Sequence, residues 1–266
     1  MKYLFFAVLW IVLFACSEVP VTLPSGPGSS SGDFTQNVLI EEFTGVRCQN
    51  CPAGAKLLED LKSIYGDRLA VVSVHGGFFA QPTNAENKLT LDNNYGKELI
   101  RIFNQPLGYP SAIINRKSFD NNLFIGGNSW AGYIKDETLI SPKIGLNLDI
   151  NKNNSTRKIN LGVSINGLED LSSVSLYLSV LITENNIKDA QLTPTGVDVN
   201  YIHNHVLRAY LTSLQGDAIM PIKLNEKKSY TYSIDIPDNW NIDNLNMVAL
   251  VNKGGPNFEV VQVVEK

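Results

Sequence analysis

Cys48 and Cys51 stand at C-x-x-C spacing, with Gln49 and Asn50 between them. Such a pair serves one of three ends. As a structural staple it is weak, because closing so small a loop removes about 2 kcal/mol of denatured-state entropy, against roughly 5 kcal/mol for a hundred-residue loop. As half of a zinc site it needs two more ligands. The second C-x-x-C of a zinc ribbon is absent, and the nearest histidine, His75, stands alone at the end of an apolar run. As a redox pair it needs one sulfur held as a thiolate and a second that resolves the mixed disulfide.

The flanking residues favour the third use. Residues 37–43, Asn-Val-Leu-Ile-Glu-Glu-Phe, have the length and the β-branched and aromatic content of a strand, and they lead into Thr44-Gly45. After the cysteines, Ala55, Leu57, Leu58, Leu61 and Ile64 recur at helical spacing, and Gly66 suits the residue just past the helix end. The cysteines therefore sit where a strand turns into a helix. There the unpaired N–H groups and the helix dipole favour a thiolate, and Arg47 adds a positive charge beside Cys48, which makes Cys48 the expected nucleophile.

Val38-Leu-Ile-Glu-Glu-Phe43 followed by Cys48-x-x-Cys51-Pro52 resembles the first strand and active-site helix of the thioredoxin superfamily. The resemblance implies a buried carboxylate at Glu42 that moves protons for Cys51, the resolving cysteine. The residues alone leave a solvated strand-end carboxylate as the alternative, since Glu41 and Glu42 point to opposite faces and only one of them is expected to be buried. Arg47 replaces the family's tryptophan, and Gln49-Asn50 replaces Gly-Pro. The near-continuous apolar run of residues 69–75 completes a βαβ unit. A mostly helical stretch from Leu89 to Phe103 resembles the insertion of extracytoplasmic members. Tyr109-Pro110, directly before a strand, falls at the superfamily's cis-proline, so Tyr109, Pro110 and Arg47 form the expected substrate-facing group. A short strand at 123–125 and a helix over 129–139 would close this unit, which spans 37–140.

The third cysteine has a different use. An unbroken apolar run over residues 3–15, before which Lys2 is the only charge, ends at Cys16. It falls short of the roughly 20 residues that span a bilayer and has the layout of a secretory signal. Leu13-Phe14-Ala15-Cys16 resembles a bacterial lipobox, with Phe14 larger than usual. Residues 1–15 are thus expected to be removed and Cys16 to carry the lipid. Residues 16–36 hold the lipidated cysteine and a flexible tether, whose Pro-, Gly- and Ser-rich part over about 17–33 has an end-to-end reach of roughly 20–25 Å. An exported chain can keep Cys48 and Cys51 as a disulfide.

The 266 residues, 44% hydrophobic, suffice for two domains and exclude general disorder. With 22 basic against 26 acidic residues, a formal charge of −4, nothing marks a nucleic-acid partner. From Ser141 onward the pattern changes to period two. Ile144, Leu146, Leu148 and Ile150 alternate, as do Ile159 to Ile165 and Val174 to Val180, and further runs follow at 206–211, 230–236, 247–251 and 258–264. The expectation is an all-β immunoglobulin-like sandwich over 141–266, following the α/β thioredoxin-like domain. Within it, His203 and His205 would share a strand face and are weighed as metal ligands, but they lack a third partner in the sequence. No metal or other cofactor is expected.

Together these segments resemble the twenty-eight-kilodalton outer-membrane lipoprotein family of Gram-negative bacteria. The resemblance implies a lipid-anchored protein of the cell envelope. Its expected partners are the thiols or disulfides of exported proteins, and the membrane through Cys16. The alternative is a binding or assembly lipoprotein of the surface or outer membrane, with a redox-inert thioredoxin-like fold.

Overall fold

A computed structural model describes residues 34–82, 87 and 91–266. The expected leader, Cys16 and nearly all of the expected tether lie outside them. The first half contains β1 (Val38–Thr44), α1 (Cys51–Tyr65), β2 (Leu69–His75), α2 (Asn94–Phe103), β3 (Ser111–Ile114) and α3 (Gly127–Thr138). The second half adds long strands β4 (Ile144–Asn153), β5 (Lys158–Gly167) and β6 (Leu176–Glu184). The short strands β7 (Ile187–Lys188), β8 (Gln191–Thr193), β9 (Gly196–Asp198) and β10 (Ile202–His203) follow. Then come β11 (Val206–Tyr210), β12 (Asp217–Ala218), β13 (Lys227–Asp235), β14 (Leu245–Lys253) and β15 (Val260–Glu265).

β1 pairs in parallel with β2 and antiparallel with β3. That sheet does not stop at residue 140. β2 also pairs with β11, and the order β15-β14-β6-β11-β2-β1-β3 runs through both halves, with β12 attached to β6. The sheet curls far enough for its outer strands to meet the opposite end. Val260 N–H donates to Asn115 O, and the Gln36 and Asn37 side chains donate to the carbonyls of Val261 and Val263. Gln36, at the end of the expected tether, is accordingly buried. The boundary at 140/141, drawn from a change of period, thus falls within one hydrogen-bonded assembly.

Two faces follow from the alternation of the strands. Val38, Ile40, Leu69 and Val71 meet Leu58 and Leu61 of α1 and Trp130 and Ile134 of α3. Further along the same face, Leu176, Leu178, Val180 and Ile182 of β6 and Met247 and Ala249 of β14 pack on a separate sheet, β13-β5-β4. The other face gathers Leu39, Phe43, Val72 and Val74 with Leu181, Leu207, Val248 and Val263, and α2 contributes Leu99 and Phe103. β1 is therefore buried on both sides.

That double burial corrects the expectation for the two glutamates, because both are buried. Glu41 turns to the α2 side, where Arg116 Nε and Nη2 donate to its two oxygens at 2.9 and 2.8 Å and Nη2 also reaches Tyr210 Oη at 3.4 Å. Burial opposes the guanidinium charge, but Glu41 more than restores it and holds the Arg116 pKa above its ordinary value. A buried charge with a two-pronged partner can be tolerated.

The expected helices are present with shifted ends. Residues 123–125 contribute only a bridge, from Ile125 to Ala112. Among the described residues no helix is long and apolar enough to cross a membrane.

Candidate functional site

The turn from β1 into α1 holds the cysteines. Cys48 N–H donates to Gly45 O and Cys51 N–H to Cys48 O, which winds the chain into α1, and Pro52 occupies the first turn, where a missing N–H does no harm. Cys48 and Cys51 form a disulfide, with their Cα atoms 5.3 Å apart. Both residues are almost covered, at 4% and 2% of full exposure.

Three further groups converge behind the pair. The Tyr109–Pro110 peptide bond is cis, as its position implied. Gly54, one turn into α1, lets the helix settle against this proline and Glu42. A Cβ there would stand 2.8 Å from Pro110 Cγ and 2.7 Å from Glu42 Oε1. Glu42 accepts one long hydrogen bond, 3.4 Å from Ser73 Oγ, and its Oε1 has no hydrogen-bond partner among the described residues. Burial pushes its pKa up to about 8, with the Ser73 bond opposing, so the carboxyl is mostly protonated at neutral pH.

A cavity of about 20 Å³, room for about one water, is lined by Glu42, Cys51, Ser73, His75, Tyr201 and His203, among others. It adjoins a groove of about 260 Å³ between α1 and β10, where Ala55, Ser73, Tyr201 and Asn204 line both. His75 and His203 meet edge to face, with ring centroids 5.9 Å apart. Burial pushes their pKa values down to about 3 and about 4, respectively, so both are neutral imidazoles at pH 7. Tyr201 is pushed up to about 12, by burial first and then by the nearby Glu42 charge.

Arg47 lies next to Cys48 in sequence, but its guanidinium turns to the 78–82 loop. Nε donates to Gln81 O at 2.9 Å and Pro82 O at 3.1 Å, and the group lies over the Phe78 ring. Tyr109 packs its ring on Phe79. The strand carrying His203 ends there, and His205 has a left-handed backbone, φ 56°, so the two imidazoles part. His205 stands 3.7 Å from both Glu59 and Glu265. Among the described residues no group of three or more His, Cys, Asp and Glu could hold a metal ion.

The segment joining β7 to β10 carries no motif that marks it in the sequence, and it is bonded to the turn that holds the disulfide. Leu192 N–H donates to Val46 O at 2.8 Å, and Gln191 Nε2 donates to Cys48 O at 3.0 Å and Gly45 O at 3.2 Å. Its composition of Asp, Gln, Thr, Pro, Gly and Asn gives turn signals and no periodicity.

These features define a sheet-rich α/β protein with a C-x-x-C disulfide at the start of a helix that packs, at Gly54, against a cis-proline and a neutralised glutamate. Residues 97–266 match the family model described as outer membrane protein Omp28. The chain belongs to that family, and its place is the outer membrane. Of the solved structures, HBP35 of Porphyromonas gingivalis is 20% identical, with a TM-score of 0.69 over 89% of this chain and 76% of that one. Protein AGR_C_4864 from Agrobacterium tumefaciens is 10% identical, with a TM-score of 0.54 over 88% and 95%. Both share the fold. A domain of the outer membrane lipoprotein Omp28 from Porphyromonas gingivalis is 23% identical, covering 47% of this chain and 86% of that one, with a TM-score of 0.34. No curated protein matches the chain.

Proposed function

We propose that the chain is a thiol–disulfide exchange protein of the outer membrane, anchored by lipid on Cys16. Its first half is a thioredoxin-like unit, and the strands beyond residue 140 serve as an immunoglobulin-like sandwich that extends the same sheet. The observation that carries this reading is the convergence of the Cys48–Cys51 disulfide, Glu42 and Pro110 around Gly54. A staple needs neither a buried carboxyl held protonated nor an adjoining polar cavity.

The chemistry balances without a cofactor. A thiolate of an exported protein attacks Cys48 Sγ, the S–S bond breaks, and Cys51 leaves as a thiolate that takes the proton of Glu42. A second substrate thiolate then attacks the substrate sulfur bonded to Cys48. Cys48 leaves as a thiolate and the substrate departs as a disulfide, so two electrons have passed to the pair. Run in reverse, with Cys48 as the attacking thiolate, Cys51 as the resolving thiol and Glu42 as the proton acceptor, the same steps reduce a substrate disulfide. Tyr109 and Pro110 offer backbone to the substrate chain.

One observation favours a second reading. Both cysteines are almost fully covered, as suits an inert disulfide in a binding or assembly lipoprotein. The reduction potential of the pair decides between them. A value within about −270 to −120 mV supports exchange, and one below about −300 mV supports the inert staple. A Cys51→Ser variant should accumulate mixed disulfides at Cys48 with exported proteins, and an empty trap would count against exchange.

A further inference from the structure

The segment bonded to the disulfide turn is built like a bound strand. Gly45, Val46 and Cys48 present a row of carbonyls beside the disulfide. β8 meets that row with the Leu192 backbone N–H and the Gln191 side-chain amide. An extended polypeptide docks on a free edge by the same kind of N–H donation. We propose that the β8–β9 hairpin is a displaceable strap, and that it occupies the edge on which an extended segment of a substrate polypeptide docks beside Cys48.

The hairpin is suited to exchange places. Among the described residues β8 and β9 pair only with each other, as a two-stranded sheet outside the main one. Isolated two-stranded ribbons are marginal. All of β9 is exposed, and Thr195, Val197 and Val199 lie open to solvent. Among the described residues the strap is tied to the site by hydrogen bonds that include Leu192 to Val46, Gln191 to Gly45 and Cys48, and Asn87 Nδ2 to Ala190 O. Segments with few buried apolar side chains open at lower free energy than core strands. A substrate strand supplying its own N–H groups replaces these bonds and brings its sulfur to Cys48. The strap thereby selects unfolded or extended cysteine-bearing segments over folded surfaces. This inference rests on the exchange reading given above.

The test uses the full folded chain. The probes are dithiothreitol and a short extended peptide carrying one cysteine, and the readout is the second-order rate of reduction of Cys48–Cys51. Gln191→Ala removes the amide and should raise both rates roughly three- to tenfold, the range expected for a net loss of about one hydrogen bond. The Leu192 amide should exchange with solvent faster than the amides of β6 and β14, and faster still in the variant. Leu192→Pro removes the N–H that meets Val46 and provides an independent lesion if Gln191→Ala folds poorly. Faster Leu192 exchange with unchanged reduction rates would overturn the strap while leaving exchange chemistry intact. Reduction that proceeds only at the rate of global unfolding, in wild type and variants alike, would overturn both the strap and the exchange reading.

Discussion

Glu42 and the two imidazoles beside it respond to pH in opposite senses. The Glu42 pKa is raised from 4.5 to about 8, so the folded state holds a proton that the unfolded state has lost. Its contribution to stability is complete below about pH 4.5 and is lost as pH rises through 8, at about 1.4 kcal/mol per pH unit between those limits. His75 and His203 are lowered from 6.5 to about 3 and about 4. Their contribution is complete above about pH 6.5 and is lost as pH falls through the folded values. The cavity is therefore most stabilising near pH 6.5, with two histidines limiting it on the acid side and one carboxyl on the alkaline side. Glu42→Gln keeps the shape and removes the titration. Its urea midpoint should gain on wild type steadily from about pH 5 to 8, and parallel curves across that window would show that Glu42 is not buried as a neutral acid. The same variant cannot protonate the departing Cys51. Its disulfide should be reduced by dithiothreitol at least roughly tenfold more slowly than wild type, after correction for the reductant's ionisation.

At the scale of elements, the helix carrying the disulfide is seated by what α1 lacks at position 54. Gly54→Ala would improve helix propensity by about 0.5–1 kcal/mol. The added Cβ, however, falls at 2.7 Å from Glu42 Oε1 and 2.8 Å from Pro110 Cγ, and overpacking of this kind costs about 1–3 kcal/mol. Overlap wins, so the variant should melt below wild type and shift the reduction potential of the pair. A raised melting temperature would mean that α1 does not lean on this proline. The strand before α1, the helix after it and the cis-proline were legible because each rests on local signals. These are the apolar runs over 37–43 and 69–75, the C-x-x-C between them, and a proline directly before a strand. The strap was not legible, since Gln191 and Leu192 gain their meaning only from carbonyls about 145 residues away, and no periodicity marks such a contact. The burial of both Glu41 and Glu42 was hidden for the same reason, because the guanidinium that satisfies Glu41 comes from Arg116 on another element. One signal was available and passed over. Val180-Leu181-Ile182 and Met247 to Val251 break the alternation with continuous apolar residues, the mark of strands covered on both faces.

Across the whole molecule, continuity of the sheet decides what can fold alone. A fragment covering 37–140 would contain β1, β2, β3 and all three helices, but it would lose β11 from the free side of β2 and the Ser73 N–H bond to His205 O. It would also lose Leu181, Leu207, Tyr210, Val248, Leu250, Val260 and Val263, which share with α2 the cover of Leu39, Phe43, Val72 and Val74. Full burial of a Val, Leu or Phe side chain is worth about 1.5–3 kcal/mol. Leu99 and Phe103 of α2 keep part of the cover, but losing the rest at four positions removes several kcal/mol, a large share of the roughly 5–15 kcal/mol that holds a typical domain. Arg116 would keep Glu41 but would face water in place of Tyr210, and β2 would present an apolar open edge of the kind that aggregates. The isolated 37–140 fragment should therefore show no cooperative thermal transition, bind a hydrophobic dye and be degraded quickly by protease, whereas the chain from residue 34 to 266 should melt in one step. If the fragment instead proved to be a soluble monomer with a sharp transition, the sheet would be two abutting units, and the strands after residue 140 would be an appendage to the disulfide site rather than one of its walls.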